Sequence, residues 1–172
     1  PDRGGVISVG GIGYDISCGV RTLRTDVDRA DVQSRLQDLV QALYRGVPAG
    51  LGSEGRIKLS GAKLDQLLKD GAAWAVKQGY GDKHDLEHIE DRGRMDGADP
   101  DKVSETAKKR QKNQLGTLGS GNHYLEIQYV DRIFDSEAAR AFDLFSDEVL
   151  VTIHSGSRGL GHQIGTDYVQ TL

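Results

Sequence analysis

Two stretches of the chain carry apolar residues at helical spacing, and four shorter ones are rich in β-branched and apolar types. Val32, Leu36, Leu39, Val40 and Leu43 fall on one face at a 3.6-residue period, which predicts a helix with Asp28 or Asp31 as its cap. Leu64, Leu67, Leu68 and Ala75 form a second such stripe. It predicts a helix over 61–79, capped by Ser60 and ended by the glycines of QGYG. Strands are expected at 5–9 (GVISV), 18–25 (CGVRTLRT), 122–130 and 147–153.

Polar segments fill the intervals. PAGLGSEG, residues 48–55, reads as a loop, and 81–100 reads as a charged, glycine-rich surface region with a helical turn or two. Asp99-Pro100 predicts the start of a polar helix running to Gln114, because proline suits the first helical position. A short helix is expected at 136–145, and GLGHQIGTDYVQ, from 159, reads as a glycine-led helix start. Strands and helices are mixed rather than strictly alternating, so the expected class is α+β, within one domain over 1–172.

Composition narrows the function. The net charge of −4 leaves no general basic character, so nucleic-acid binding would need a local patch or a metal. The single cysteine excludes an internal disulfide, and no apolar run approaches the roughly 20 residues of a membrane span. A cytoplasmic protein with no membrane partner is expected. PDRGGVISVG lacks both an initiator methionine and a signal-peptide layout, so an excised piece of a longer chain is expected.

The lone thiol, Cys18, sits in GYDISCGVR, a polar, turn-rich stretch where packing gains little. Asp15 lies three residues earlier. His123 opens a strand in GSGNHYLE, and His154 ends the apolar strand VLVTI in HSGSRG. Each of these residues lies where a strand meets a glycine-rich loop. A thiolate, two imidazoles and a carboxylate suit a divalent transition ion such as Zn²⁺ or Mn²⁺. Taken singly, Cys18 reads as an inert small residue and each histidine as a hydrogen-bonding one; their matching contexts favour a metal site. LGTLGSGNH (115–123) and HSGSRGLGHQ (154–163) offer backbone N–H groups for phosphate, and Arg158 adds a forked cation. Neither is a Walker loop.

Three further patterns weigh less. HDLEH, residues 84–88, matches the H-x-x-E-H arrangement of inverted zinc peptidases. Its flanks, GYGDK and EDRGRMDG, leave only a turn or two of helix and no apolar face, so a solvated, charged surface helix rather than a metal site is expected. KKRQK, 108–112, reads as a solvated face with a minor option of RNA-backbone contact. A Cys18–histidine pair for acyl transfer is disfavoured, because Asp15 beside the thiol fits a cation better than a nucleophile.

GGIGYDISCGVR, LGTLGSGNHYLEIQ and HSGSRGLGHQIG, in this order, closely resemble the RtcB family of tRNA-splicing RNA ligases. The resemblance implies a GTP- and Mn²⁺-dependent enzyme with mixed strands and helices around a central metal and nucleotide site. Such an enzyme joins an RNA 3′-phosphate or 2′,3′-cyclic phosphate to a 5′-hydroxyl. A histidine is guanylylated by GTP, the guanylyl group passes to the RNA 3′-phosphate, and the 5′-hydroxyl then expels GMP. By matching motif positions, Asp15, Cys18 and His123 would bind one manganese, and Cys18 and His154 the second. Asn122, His123, Tyr124, Leu125 and Glu126 would line the GTP site, with Asn122 on phosphate and Glu126 on the guanine side. Arg158, from its charge and loop, is assigned to RNA phosphate or triphosphate.

The family's nucleophilic histidine, and one further metal-binding histidine, would lie beyond residue 172, so an internal fragment, inactive alone, is expected. The implied partners are RNA ends, such as tRNA halves, and an archease-like activator. Two alternatives stand beside this reading: a two-metal phosphoesterase or hydrolase, and a non-catalytic metal- or RNA-binding module.

Overall fold

The computed structural model of the chain describes residues 3–5, 10–11 and 13–171. Most of the strand expected at 5–9 lies outside these residues. The described chain has the mixed helices and small antiparallel sheet of an α+β protein. It forms two compact units. The first comprises residues up to Tyr14, Arg56–Leu115 and the chain from Gly159 on; the second comprises Asp15–Gly55 and Gly116–Arg158.

The second unit holds the sheet. Strands β1 (Gly19–Asp28), β2 (Tyr124–Tyr129) and β3 (Glu148–Ser155) run in the order β1-β3-β2, both pairs antiparallel. β3 takes the centre because it is the apolar strand, EVLVTIHS, with Val149 and Thr152 buried. β1, with Arg21 and Arg24, and β2, with Glu126 and Gln128, are polar enough for the edges. The other three of the four expected strands are present, each shifted by one to three residues at an end.

The register decides what shares a face. Val20 and Tyr124 both pair with His154, while Thr22 and Glu126 both pair with Thr152. Directly paired residues project to one side, so these six side chains share a face. Leu125, paired with Ile153, projects to the other. The pairing shifts between Arg24 and Asp28. There the Arg24 guanidinium binds Glu148 at 3.0 Å, Asp143 at 2.6 Å and Asp26 at 3.1 Å. Glu148 is wholly buried, and Arg24 supplies the countercharge that burial demands.

The helix expected through Val32–Leu43 is two helices, α1 (Arg29–Gln33) and α2 (Leu36–Gly46), broken at Ser34 and Arg35. Asp28 caps α1, accepting from the Ala30 amide at 2.8 Å. α6 (Ser136–Ala141), capped by Asp135 in the same way, starts where the short helix over 136–145 is expected but ends at Ala141.

In the first unit, the helix expected over 61–79 is also two, α3 (Ala62–Asp70) and α4 (Ala72–Lys77). Gly71 separates them at φ 56°, ψ −136°, a conformation open to glycine alone. Ser60 does not cap α3; Gly61 holds that position without a side-chain bond. Leu64 and Trp74 are buried on these helices and Ala107 on α5 (Glu105–Gln111). The polar helix expected from Pro100 to Gln114 is likewise interrupted. Pro100–Lys102 is a single 3₁₀ turn, and α5 starts afresh from Ser104, whose hydroxyl accepts from the Ala107 amide. Segment 81–100 forms two 3₁₀ turns, Asp85–His88 and Glu90–Gly93. The glycine-led start expected from 159 is α7 (Arg158–Val169).

Candidate metal centre

Asp15, Cys18, His123 and His154 all belong to the second unit. Asp15 and Cys18 lie in the turn before β1, closed by the Cys18 amide on the Asp15 carbonyl at 3.1 Å. His123 precedes β2, and His154 lies on β3 one residue from its end. Because β3 pairs with both edge strands, it brings these sites together. The Cys18 sulfur is 3.0 Å from His154 Nε2 and 3.4 Å from His123 Nε2. His123 Nε2 is 2.7 Å from Asp15 Oδ2. One ligand atom each from Asp15, Cys18 and His123 lies within 4.8 Å of the other two.

His123 is oriented from behind. Its Nδ1–H donates to the Leu118 carbonyl at 3.0 Å, which leaves Nε2 facing the carboxylate and sulfur. The same carbonyl accepts from the Ser155 hydroxyl at 2.8 Å. The His123 side chain is only 4% exposed. Imidazole nitrogen, carboxylate oxygen and sulfur are all electron donors, so their convergence requires a proton or a cation between them. This donor set fits a divalent transition ion.

The thiol itself is exposed, so packing does not account for its position. Partial burial, the hydrogen bond to Asp15 and that residue's negative charge hold its pKa above the ordinary value. For Asp15, burial alone would raise the pKa. Hydrogen bonds from His123, Cys18 and Ser157, with the charge of His123, outweigh it, and the carboxyl lies below its usual range.

Two glycines permit the approach. A Cβ at Gly156 would lie 2.5 Å from Asp15 Oδ1. A Cβ at Gly119 would collide with His123 Nδ1 and lie 2.9 Å from an Arg158 nitrogen. Arg158 therefore reaches the same glycine as His123, and its Nε donates to the Thr117 hydroxyl at 3.2 Å. Its own φ of 55° is unusual for a residue with a side chain.

Of the five residues expected along the nucleotide loop, Tyr124 and Glu126 share the sheet face of His154, and the Tyr124 and His154 rings meet edge to face at 5.2 Å. Asn122 is exposed in the turn before β2. Leu125 projects away, so only its backbone lies on that side. Sequence reading missed Ser157, whose hydroxyl donates to Asp15 Oδ1 at 3.3 Å, and the Leu118 carbonyl. The hydroxyl-glycine alternation of HSGSRG carries a signal for Ser157; a backbone carbonyl carries none. Also missed is a polar chain across the sheet. The Thr152 hydroxyl donates to Gln128 Oε1 at 2.7 Å, and the Gln128 amide donates to Glu126 Oε2 at 2.7 Å.

The basic cluster 108–112 is only in part a solvated face. Lys108 is 2.8 Å from Asp65, Arg110 donates to Gln163 at 2.9 Å, and Gln111 is buried. No helix among the described residues is long and apolar enough to cross a membrane.

Fold and cluster together define an α+β protein that gathers a thiol, two imidazoles and a carboxylate at the ends of a three-stranded sheet. A family model described as tRNA-splicing ligase RtcB matches residues 2–172, and the chain belongs to the RtcB family. Among curated relatives, the tRNA-splicing ligase RtcB of Thermococcus kodakarensis is 55% identical over 168 residues, covering 98% of this chain and 35% of the relative. That of Aeropyrum pernix is 55% identical over 171 residues, covering 99% and 36%. That of Pyrococcus furiosus is 53% identical over 156 residues, covering 91% and 16%. The chain thus spans about a third or less of the length of these relatives.

Proposed function

We propose that this chain carries part of the active site of a GTP- and Mn²⁺-dependent RNA ligase. The enzyme joins RNA 3′-phosphate or 2′,3′-cyclic phosphate ends to 5′-hydroxyl ends in the cytoplasm, with tRNA halves as substrates and an archease-like protein as activator. The observation that carries the reading is the position of the Cys18 sulfur, 3.0 and 3.4 Å from the two imidazoles, in a chain of this family.

Asp15, Cys18 and His123 would hold one manganese, with Cys18 and His154 on the second. Two such cations, when bound, would neutralise charge on phosphate oxygens during nucleotidyl transfer. The protein's own part is to aim the donors: Leu118 fixes the His123 ring, and Ser157 steadies Asp15. Asn122 would contact phosphate, Tyr124 and the Leu125 backbone would line the nucleotide, and Glu126 would accept from the guanine edge. Gln128 and Thr152 support this last role by holding the Glu126 carboxylate. Arg158, beside His123 at Gly119, would meet RNA phosphate or the triphosphate. The nucleophilic histidine would lie beyond residue 172.

The test is guanylylation. The protein carrying this chain, given Mn²⁺ and labelled GTP, is expected to form a covalent GMP adduct, and Cys18→Ala is expected to abolish it. Release of phosphate without an adduct would instead identify a metal-dependent hydrolase. Mn²⁺ binding with neither reaction would leave a binding module.

A further inference from the structure

We propose that His84 and His88 form a second, separate metal site, a surface chelate for a borderline first-row divalent ion such as Ni²⁺ or Zn²⁺. Both residues belong to the first unit, whereas the Asp15, Cys18, His123 and His154 cluster belongs to the second. The sequence places them four apart in a charged segment with no role in the ligase reading. The structure adds that their Nε2 atoms face each other at 3.2 Å, with the rings edge to face.

That separation suits chelation. Two nitrogens each about 2.1 Å from one ion stand about 3.0 Å apart at a right angle and about 3.4 Å apart at the tetrahedral angle. The rings are also oriented for it. His84 Nδ1 lies 3.2 Å from Glu87 Oε2, and a carboxylate can only accept, so in the neutral ring Nδ1 carries the proton and Nε2 accepts from His88 Nε2–H, the proton that a metal ion would displace. A carboxylate behind an imidazole is the usual support of a metal-binding histidine.

The backbone beneath is held as well. Asp82 Oδ1 accepts from the His84 amide at 2.7 Å, and Asp85 Oδ2 accepts from the Asp82 amide at 2.8 Å. His84, Glu87 and His88 are all exposed, so water can complete the coordination. Residues 82–92 contain five carboxylates against one lysine and one arginine, a local field that favours a cation. Two neutral nitrogens bind nickel, copper and zinc in preference to manganese, so Ni²⁺ is the sensitive probe of this pair, and Cys18→Ala removes the competing thiolate of the other unit. The sequence alone favours a solvated helix over a metal site here, and the short exposed turn excludes a buried peptidase-type site; the facing nitrogens are what reverse the expectation for a surface chelate. A chelate needs only the two facing nitrogens, not a buried helix.

The test is a calorimetric titration of the protein carrying this chain with Ni²⁺, then with Mn²⁺. Wild type is expected to bind, besides any Ni²⁺ taken up by the Cys18 cluster, one Ni²⁺ equivalent that persists in Cys18→Ala and that His84→Asn and His88→Asn each weaken at least tenfold, while Mn²⁺ binding and circular dichroism of the histidine variants stay unchanged. Glu87→Gln is expected to weaken the same equivalent severalfold. Ni²⁺ binding equal to wild type in both histidine variants would overturn the proposal, as would absence of that equivalent in wild type. Parallel loss of Mn²⁺ binding would overturn it too, since the two sites would then not be independent.

Discussion

The sulfur of Cys18 lies 3.0 Å from Nε2 of His154, although 136 residues separate them in the chain. The antiparallel pairing of β1 with β3 creates this approach. Val20 pairs with His154, so the turn immediately before β1 comes to lie over the end of β3. The thiol at this junction is placed by backbone register and is exposed, so burial does not account for its position.

The same junction predicts a sensitive glycine. A methyl group at Gly156 would press on both carboxylate oxygens of Asp15, at 2.5 and 2.6 Å. Asp15 is short and already bonded to His123 and Ser157, so it must turn out of the cluster. Gly156→Ala is expected to lower Mn²⁺ affinity by about tenfold or more, the usual scale for disturbing the support of a metal ligand. Calorimetric titration with Mn²⁺ measures it, and an unchanged affinity would remove Asp15 from the site.

Gly71 makes a prediction about stability. It joins α3 to α4 at positive φ, and a Cβ there would collide with the carbonyl oxygen of Gly93, a backbone atom that cannot swing aside. Gly79 also has positive φ, 84°, but a Cβ there meets nothing within 4 Å. Gly79→Ala should therefore cost about 1–2 kcal/mol, the conformational penalty alone. Gly71→Ala should cost more, about 1–3 kcal/mol for a backbone region closed to alanine plus about 1–3 kcal/mol of steric strain against Gly93. Urea unfolding of the two variants measures the difference. Equal losses would mean that the Gly93 contact yields without cost.

Asp167 makes a prediction about pH. Its oxygens accept from Ser104 at 2.6 Å and Gln163 at 2.7 Å, and the Ser104 bond, then the Gln163 bond, hold its pKa below the ordinary 3.8. A carboxyl whose pKa is lower in the folded state stabilises fully above its unfolded value. That contribution shrinks as pH falls below 3.8 and is gone below the folded-state pKa. Asp167→Asn should thus lower the urea midpoint at pH 7 by more than at pH 3. A difference independent of pH would show that ionisation of Asp167 contributes nothing.

Elements were read best where the signal was local. The apolar run at Val149–Ile153 marks the central strand, and Asp28 and Pro100 sit at the helix or turn starts that their chemistry favours. Continuity was read less well. Three expected helices are each broken, at Ser34–Arg35, at Gly71 and at Val103, because apolar spacing runs on through a break while the backbone angles do not. Trp74, buried on α4, lies seven residues after Leu67, at helical spacing with the stripe, and the periodicity reading does not name it.

What the sequence determined by itself was the set of donor groups and the turns that carry them: a thiol, two imidazoles and a carboxylate, each beside glycines that leave room for close approach. What only the tertiary structure decided was which atoms meet. The pairing register of β1 and β2 against β3 selects the face that His154 shares with Tyr124 and Glu126, and turns Leu125 away. Register depends on contacts between segments far apart in the chain, whereas composition and periodicity record only neighbours, so the meeting of Cys18 with His154 had to be seen in space.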